Sequence, residues 1–115
     1  MLRASCEAND IAADFSVVVD PKRSCDVRHY DLLIEFADAL LARDETQLGK
    51  AREALRIGAG DAGVEKAAAV VGNFQMMNRA LDTIGATFGK KLPTRVRAMA
   101  EEFGIEPPPH WPAAY

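Results

Sequence analysis

Ala67-Ala68-Ala69-Val70-Val71-Gly72-Asn73-Phe74-Gln75-Met76-Met77-Asn78-Arg79-Ala80-Leu81-Asp82-Thr83-Ile84 is the stretch whose reading decides the fold. In it Ala67, Val70, Phe74, Met77, Leu81 and Ile84, with Phe88 beyond, recur at alternating steps of three and four. A 3.5-residue repeat sustained for about three heptads predicts a long helix with an apolar seam suited to a second helix. Asp61 is a good N-cap for it, and Gly85 and Gly89 weaken its end.

Upstream, Tyr30, Leu33, Ile34, Ala37, Leu40 and Leu41 fall on one helix face, with acidic Asp31, Glu35 and Asp38 off that stripe. This predicts a helix over about 27–42, capped by Ser24 or Asp26. Asp44-Glu45-Thr46-Gln47 is a loose capping box for a segment to Ile57 that buries Leu48, Ala51 and Leu55. Gly58 and Gly60 are expected to end it. Downstream, Val96, Met99, Ala100 and Phe103 make a short last helix stopped by Gly104, and after it comes an extended Pro-rich tail over 105–115. The first 25 residues are poorly defined. Ile11, Phe15 and Val18 are spaced for a short helix after Asn9 or Asp10, and Val17-Val18-Val19 suits a strand equally. No segment alternates with period two, so the expectation is one all-α domain over 1–115 with about five helices.

The 115 residues carry 14 basic and 17 acidic side chains, a net charge of −3. A general nucleic-acid or anionic-membrane binder needs a cationic surplus, so both classes are excluded. The longest uncharged run, Ala67 to Asn78, has 12 residues, too short to span a bilayer. Two cysteines make no disulfide framework, and the start of the chain lacks the order of a signal peptide. A cytoplasmic protein is expected.

Gly58-Ala59-Gly60-Asp61-Ala62-Gly63 spells the glycine pattern of dinucleotide-binding loops, with Asp82 where a ribose-binding acid is expected. That fingerprint needs a strand before the loop, and Ala51-Arg52-Glu53-Ala54-Leu55-Arg56 is helix-forming, so a helix end and a turn are expected and no cofactor. Cys25 and His29, four apart, would share a face if helical. A thiol beside an imidazole is a nucleophilic or peroxide-reactive pair, because a nearby cation favours the thiolate. Cys6, Cys25, His29 and His110 are too scattered for a metal site. Beside the seam, Gln75, Asn78, Arg79 and Asp82 form a polar stripe continued upstream by Ala68 and Gly72. It either lines a cavity or subunit interface, or is a solvated face. Lys90, Lys91, Arg95 and Arg97 are the one basic cluster, either a solvated helix junction or a dock for an anion or acidic partner; Trp111 is either an apolar anchor pinning the tail onto this chain or a neighbouring subunit, or a ligand for another domain.

Leu33-Ile34-Glu35-Phe36-Ala37-Asp38-Ala39-Leu40 followed by Arg43-Asp44 resembles the "FA-x-x-L-x-x-D" helix of the carboxymuconolactone decarboxylase and alkylhydroperoxidase-D-like superfamily. Asn73-Phe74-Gln75-Met76-Met77-Asn78-Arg79-Ala80-Leu81-Asp82 is similar to that family's "N-x-x-x-x-N-R-x-x-D" signature, which places Asn73, Asn78, Arg79 and Asp82 on its long helix. The resemblance covers residues 31–88. It implies an all-α fold, a dimer, trimer or hexamer, and, in one branch, thiol reduction of hydroperoxides by a C-x-x-C-x-x-x-H helix. Cys25-Asp26-Val27-Arg28-His29 reproduces only the second half of that motif, and Lys22 stands where the first cysteine belongs. The alignment places Met1 beyond the catalytic helix, with residues 1–25 as the segment C-terminal to it.

The expectation is therefore a helical homo-oligomer, non-catalytic or altered in its chemistry. The alternatives are a hydroperoxide-reducing enzyme using Cys25 and His29, and a cysteine-independent decarboxylase or lactone-acting enzyme. The sequence names no small-molecule substrate.

Overall fold

The computed structural model describes residues 2–20, 22–86 and 94–106. Among them it is helical, with α1 (Leu2–Ala8), a 3-10 turn (Phe15–Val18), α2 (Tyr30–Ala42), α3 (Glu45–Thr83) and α4 (Thr94–Glu102), and no strand. Phe88, Gly89, Lys90, Lys91 and the tail from Pro107, with His110 and Trp111, lie outside the described residues.

The chain divides into two compact units, Met1–Met77 and Asn78–Tyr115. In the first, α2 and the opening turns of α3 form a helical hairpin joined only by Arg43 and Asp44. Arg43 closes α2 in the left-handed conformation, and the Gln47 backbone N–H donates to Asp44 Oδ1 at 3.0 Å, the cap that the sequence predicts. Phe36 and Ala39 of α2 meet Ala51 and Leu55 of α3 in a buried core, flanked by half-buried Leu32, Leu33, Leu40, Leu48, Ala59, Val64 and Ala67.

Four local expectations are corrected. Helix α2 begins at Tyr30 rather than near Val27, because His29 adopts a left-handed conformation (φ 59°) as its N-cap, and neither Ser24 nor Asp26 caps it. The Asp26 N–H instead donates to the Ala12 carbonyl, fastening this loop to the N-terminal segment. The segment after Asp10 forms only a 3-10 turn over Phe15–Val18, and a further helix, α1, precedes Asn9. Asp10 takes the left-handed position, and the Ile11 and Asp10 N–H groups return to the Cys6 and Glu7 carbonyls, a Schellman closure. Val17–Val19 is not a strand: Asp14 caps a 3-10 turn, accepting from the Ser16 N–H and hydroxyl, and Val19 closes it through its N–H to the Ser16 carbonyl. Finally, Gly58 lies within helix, so Gly60 alone interrupts α3, and α3 stops at Thr83 instead of running on to Phe88. Gly85 terminates it by the same motif, with the Ala86 N–H on the Leu81 carbonyl at 2.9 Å.

In the second unit, Ala100 of α4 is buried, Val96 of α4 and Phe103 just beyond it are half-buried, and Gly104 (φ 63°) stops the helix where the sequence places the stop.

Candidate functional site

The glycines of the Gly58–Gly63 stretch build a kink, and each has a separate structural reason. A Cβ on Gly58 would lie 2.6 Å from Leu32 Cδ1 and 3.5 Å from His29 Nδ1, so this glycine lets α2 approach α3. Gly60 has φ 75° and ψ 173°, outside the range of L side chains, and redirects the helix. A Cβ on Gly63 would lie 2.6 Å from that of Ala59, across the kink. Helix precedes the stretch and Asp82 lies on α3, so no strand–loop–helix nucleotide cradle exists there.

Cys25 lies five residues before α2 begins, in irregular chain, and therefore shares no helix face with His29. The His29 ring is half-buried against Gly58. Cys25 and Cys6 are both free, half-buried thiols. Beside Cys25 the loop is held by charge, with Arg23 reaching Asp14 at 3.2 Å and Asp20 at 3.6 Å. The Asp14 carboxyl is lowered below its usual value by the Ser16 hydroxyl, then by the Ser16 N–H and by Arg23. Among the described residues no group of three or more His, Cys, Asp or Glu side chains is arranged to hold a metal ion. No helix there is long and apolar enough to cross a membrane.

On α3 the polar stripe is mainly solvent-facing: Gln75 is half-buried, whereas Asn78, Arg79 and Asp82 are exposed. Asn73 is also exposed, and its amide donates to the Met77 sulfur at 3.5 Å. The seam divides in two. Ala67 packs on the hairpin core. Beyond it Val70 is 56% exposed, Phe74 55%, Met77 46% and Leu81 47%. A side chain chosen only for solubility would be polar here, so four large apolar groups at seam spacing are a helix face left half open among the described residues.

A groove of about 520 Å³ runs along α2 and is floored by Val17, Ile34, Ala39 and Ala42. Asp31, Glu35, Asp38 and Asp44 line it with Tyr30 and Gln47, and none of the described lining residues is basic. Asp31, Glu35 and Asp38, visible in the sequence as the acids off the apolar stripe, fall on one line of α2 at steps of four and three. None of them is in an ion pair with a described residue. Val17 and Gln47 close the groove from other elements, beyond the reach of any helical periodicity.

No protein-family model, no curated protein and no solved structure matches the chain.

Proposed function

We propose that this chain is a non-catalytic or altered member of the carboxymuconolactone decarboxylase and alkylhydroperoxidase-D-like superfamily, acting as a helical assembly unit. The observation that carries this reading is the exposed seam Val70, Phe74, Met77 and Leu81 on α3. Its preferred partner is a second copy, related by a two-fold axis. Beyond the core, α3 runs from Ala68 to Thr83, about 24 Å of helix, and the middle of that stretch falls between Phe74 and Met77. Antiparallel pairing about that point sets Phe74 on Met77 and Val70 on Leu81, layers of comparable volume with opposed dipoles. Parallel pairing stacks Phe on Phe and Val on Val, leaving one layer tight and the next loose.

Each of the four side chains is about half exposed, and burying the rest is worth about 1 kcal/mol apiece. Two copies gain about 8 kcal/mol, against about 4–15 kcal/mol for the lost freedom of association. The seam alone therefore reaches a dissociation constant of about 1 mM at best, and any contact beyond these four side chains moves it down the range from about 1 mM to 1 µM. Sedimentation equilibrium over that range tests the reading: a mass rising towards two chains is expected, and one chain at every concentration overturns it. Thiol peroxidase chemistry has less support, since Cys25 and His29 share no helix face and the His29 ring packs on Gly58.

A further inference from the structure

We infer that the groove along α2 binds a linear aliphatic polyamine, a trication whose ammonium groups are separated by four and by three methylenes. Asp31, Glu35 and Asp38 line the groove in succession along one face of α2. Four residues separate the first pair and three the second, which is about 6.0 Å and about 4.5 Å along a helix axis. With standard bond lengths, nitrogens joined by four carbons stand about 6.2 Å apart, and those joined by three about 5.0 Å. The two ladders match step for step. The floor beside the acids is apolar, from Val17, Ile34, Ala39 and Ala42, and it suits methylene spacers better than a hydrated metal ion. Val17 and Ala39 are buried, so that floor is fixed. The volume of about 520 Å³ lies in the range of small-molecule sites.

The described lining supplies no cation of its own. None of those residues is basic, α2 has no basic side chain in its last turn, and the three acids stand in no ion pair with a described residue. Like charges at steps of four and three repel one another on a helix, and Asp38, towards the C-terminal end of α2, also faces the negative pole of the dipole. A bound trication relieves both at once. Tyr30 lines the groove beside Asp31, its hydroxyl donating to the Arg23 carbonyl at 3.4 Å, and an aromatic side chain held there attracts an ammonium group. Asp44 is partly taken up by the Gln47 N–H, so three carboxylates rather than four set the charge of the ligand. The site shares no residue with the seam on α3 and is complete in a single copy.

Calorimetry with spermidine on the full chain at about 10 mM salt, where charges are felt over about 30 Å, tests this. One spermidine per chain is expected to bind. Hexaamminecobalt(III) has the same charge in a compact ion without methylenes, and it is expected to bind more weakly. The double variant Glu35→Gln, Asp38→Asn should weaken spermidine binding about tenfold, since each exposed ion pair is worth up to about fivefold. Both residues are exposed and outside the core, and the change removes like charges from α2, so circular dichroism should show the parent helix content. Glu65→Gln, at an exposed acid of α3 outside the groove, should bind as the parent does. In methyl NMR spectra spermidine should shift the Val17 and Ala39 signals. The inference is overturned if no spermidine binds, if the cobalt ion binds as tightly, or if the double variant binds as the parent does. A Glu65→Gln effect equal to that of the groove pair, or methyl shifts confined to other parts of the chain, overturns it as well. Trilysine binding more tightly than spermidine would assign the groove to a basic peptide of another protein and refute the polyamine.

Discussion

Truncating Phe74 to alanine tests whether the exposed half of α3 is an interface. Phe74 sits at the middle of the seam with 55% of its surface open, and it has no part in the buried core. In the isolated chain the substitution removes little packing, and alanine is the better helix former, so folding stability should stay within about 0.5 kcal/mol. In a two-fold pair the loss occurs twice. Half the transfer free energy of a phenylalanine is about 1 kcal/mol, so the dimer loses about 2 kcal/mol. That is about a 30-fold rise in the dissociation constant. Sedimentation equilibrium reads the association, and urea denaturation at a fixed low concentration reads the fold. Leu55→Ala is the contrast: Leu55 is fully buried, and its truncation should cost about 2–5 kcal/mol of stability. If Phe74→Ala leaves the association unchanged while it still folds, the seam is not an interface. If it destabilises the monomer as much as Leu55→Ala does, the face is already covered within the chain.

Gly60→Ala should destabilise the fold by about 1–2 kcal/mol through its positive φ alone, because nothing lies within 4 Å of the new Cβ. Gly58→Ala should cost less, since helix propensity returns about 1 kcal/mol against a clash with the movable end of Leu32; equal urea midpoints for the two variants would contradict this division of roles. The lowered Asp14 carboxyl contributes stability that is present above the ordinary value of 3.8 and disappears as pH falls through its folded value. The parent chain should therefore lose more stability between pH 6 and pH 3 than Asp14→Asn does, measured as the difference in urea midpoints, and parallel curves would remove the linkage. Iodoacetamide at pH 6 should label Cys25 and Cys6 at similar slow rates, followed by mass spectrometry; labelling of Cys25 more than tenfold faster would restore the thiol-enzyme alternative.

The parts of this fold that can be read from sequence are those set within one helical turn. Gly85 and Gly104 end helices because a left-handed residue is needed there, and Asp44 starts one because its carboxylate reaches an N–H three residues on. The same logic fails where a residue type serves two local roles. Asn9 and Asp10 suit the start of a helix as well as its end, and here they end α1. Ser24 and Asp26 are sound caps by type, but the Asp26 N–H is taken by Ala12, far back in the chain, and α2 starts later. The groove is half visible in the sequence, as three acids on one line of α2. Its floor depends on Val17, and its far end on Asp44 and Gln47, and such non-local closures leave no periodic trace.

Helix α3 carries one apolar repeat but meets two different demands along it. Up to Ala67 the repeat is covered by α2, whose thirteen residues from Tyr30 to Ala42 extend about 20 Å, too short to cover an element of thirty-nine residues. From Val70 onward the repeat continues unchanged, and Val70, Phe74, Met77 and Leu81 stand about half exposed. Propensity cannot account for this, because Val70 and Phe74 are poorer helix formers than the polar residues that would serve on a solvated face. Solubility argues against them as well. A repeat kept at 3.5 residues past the end of its own cover is explained by a second helix of equal length, and the stretch from Ala68 to Thr83 supplies that length to a copy of itself.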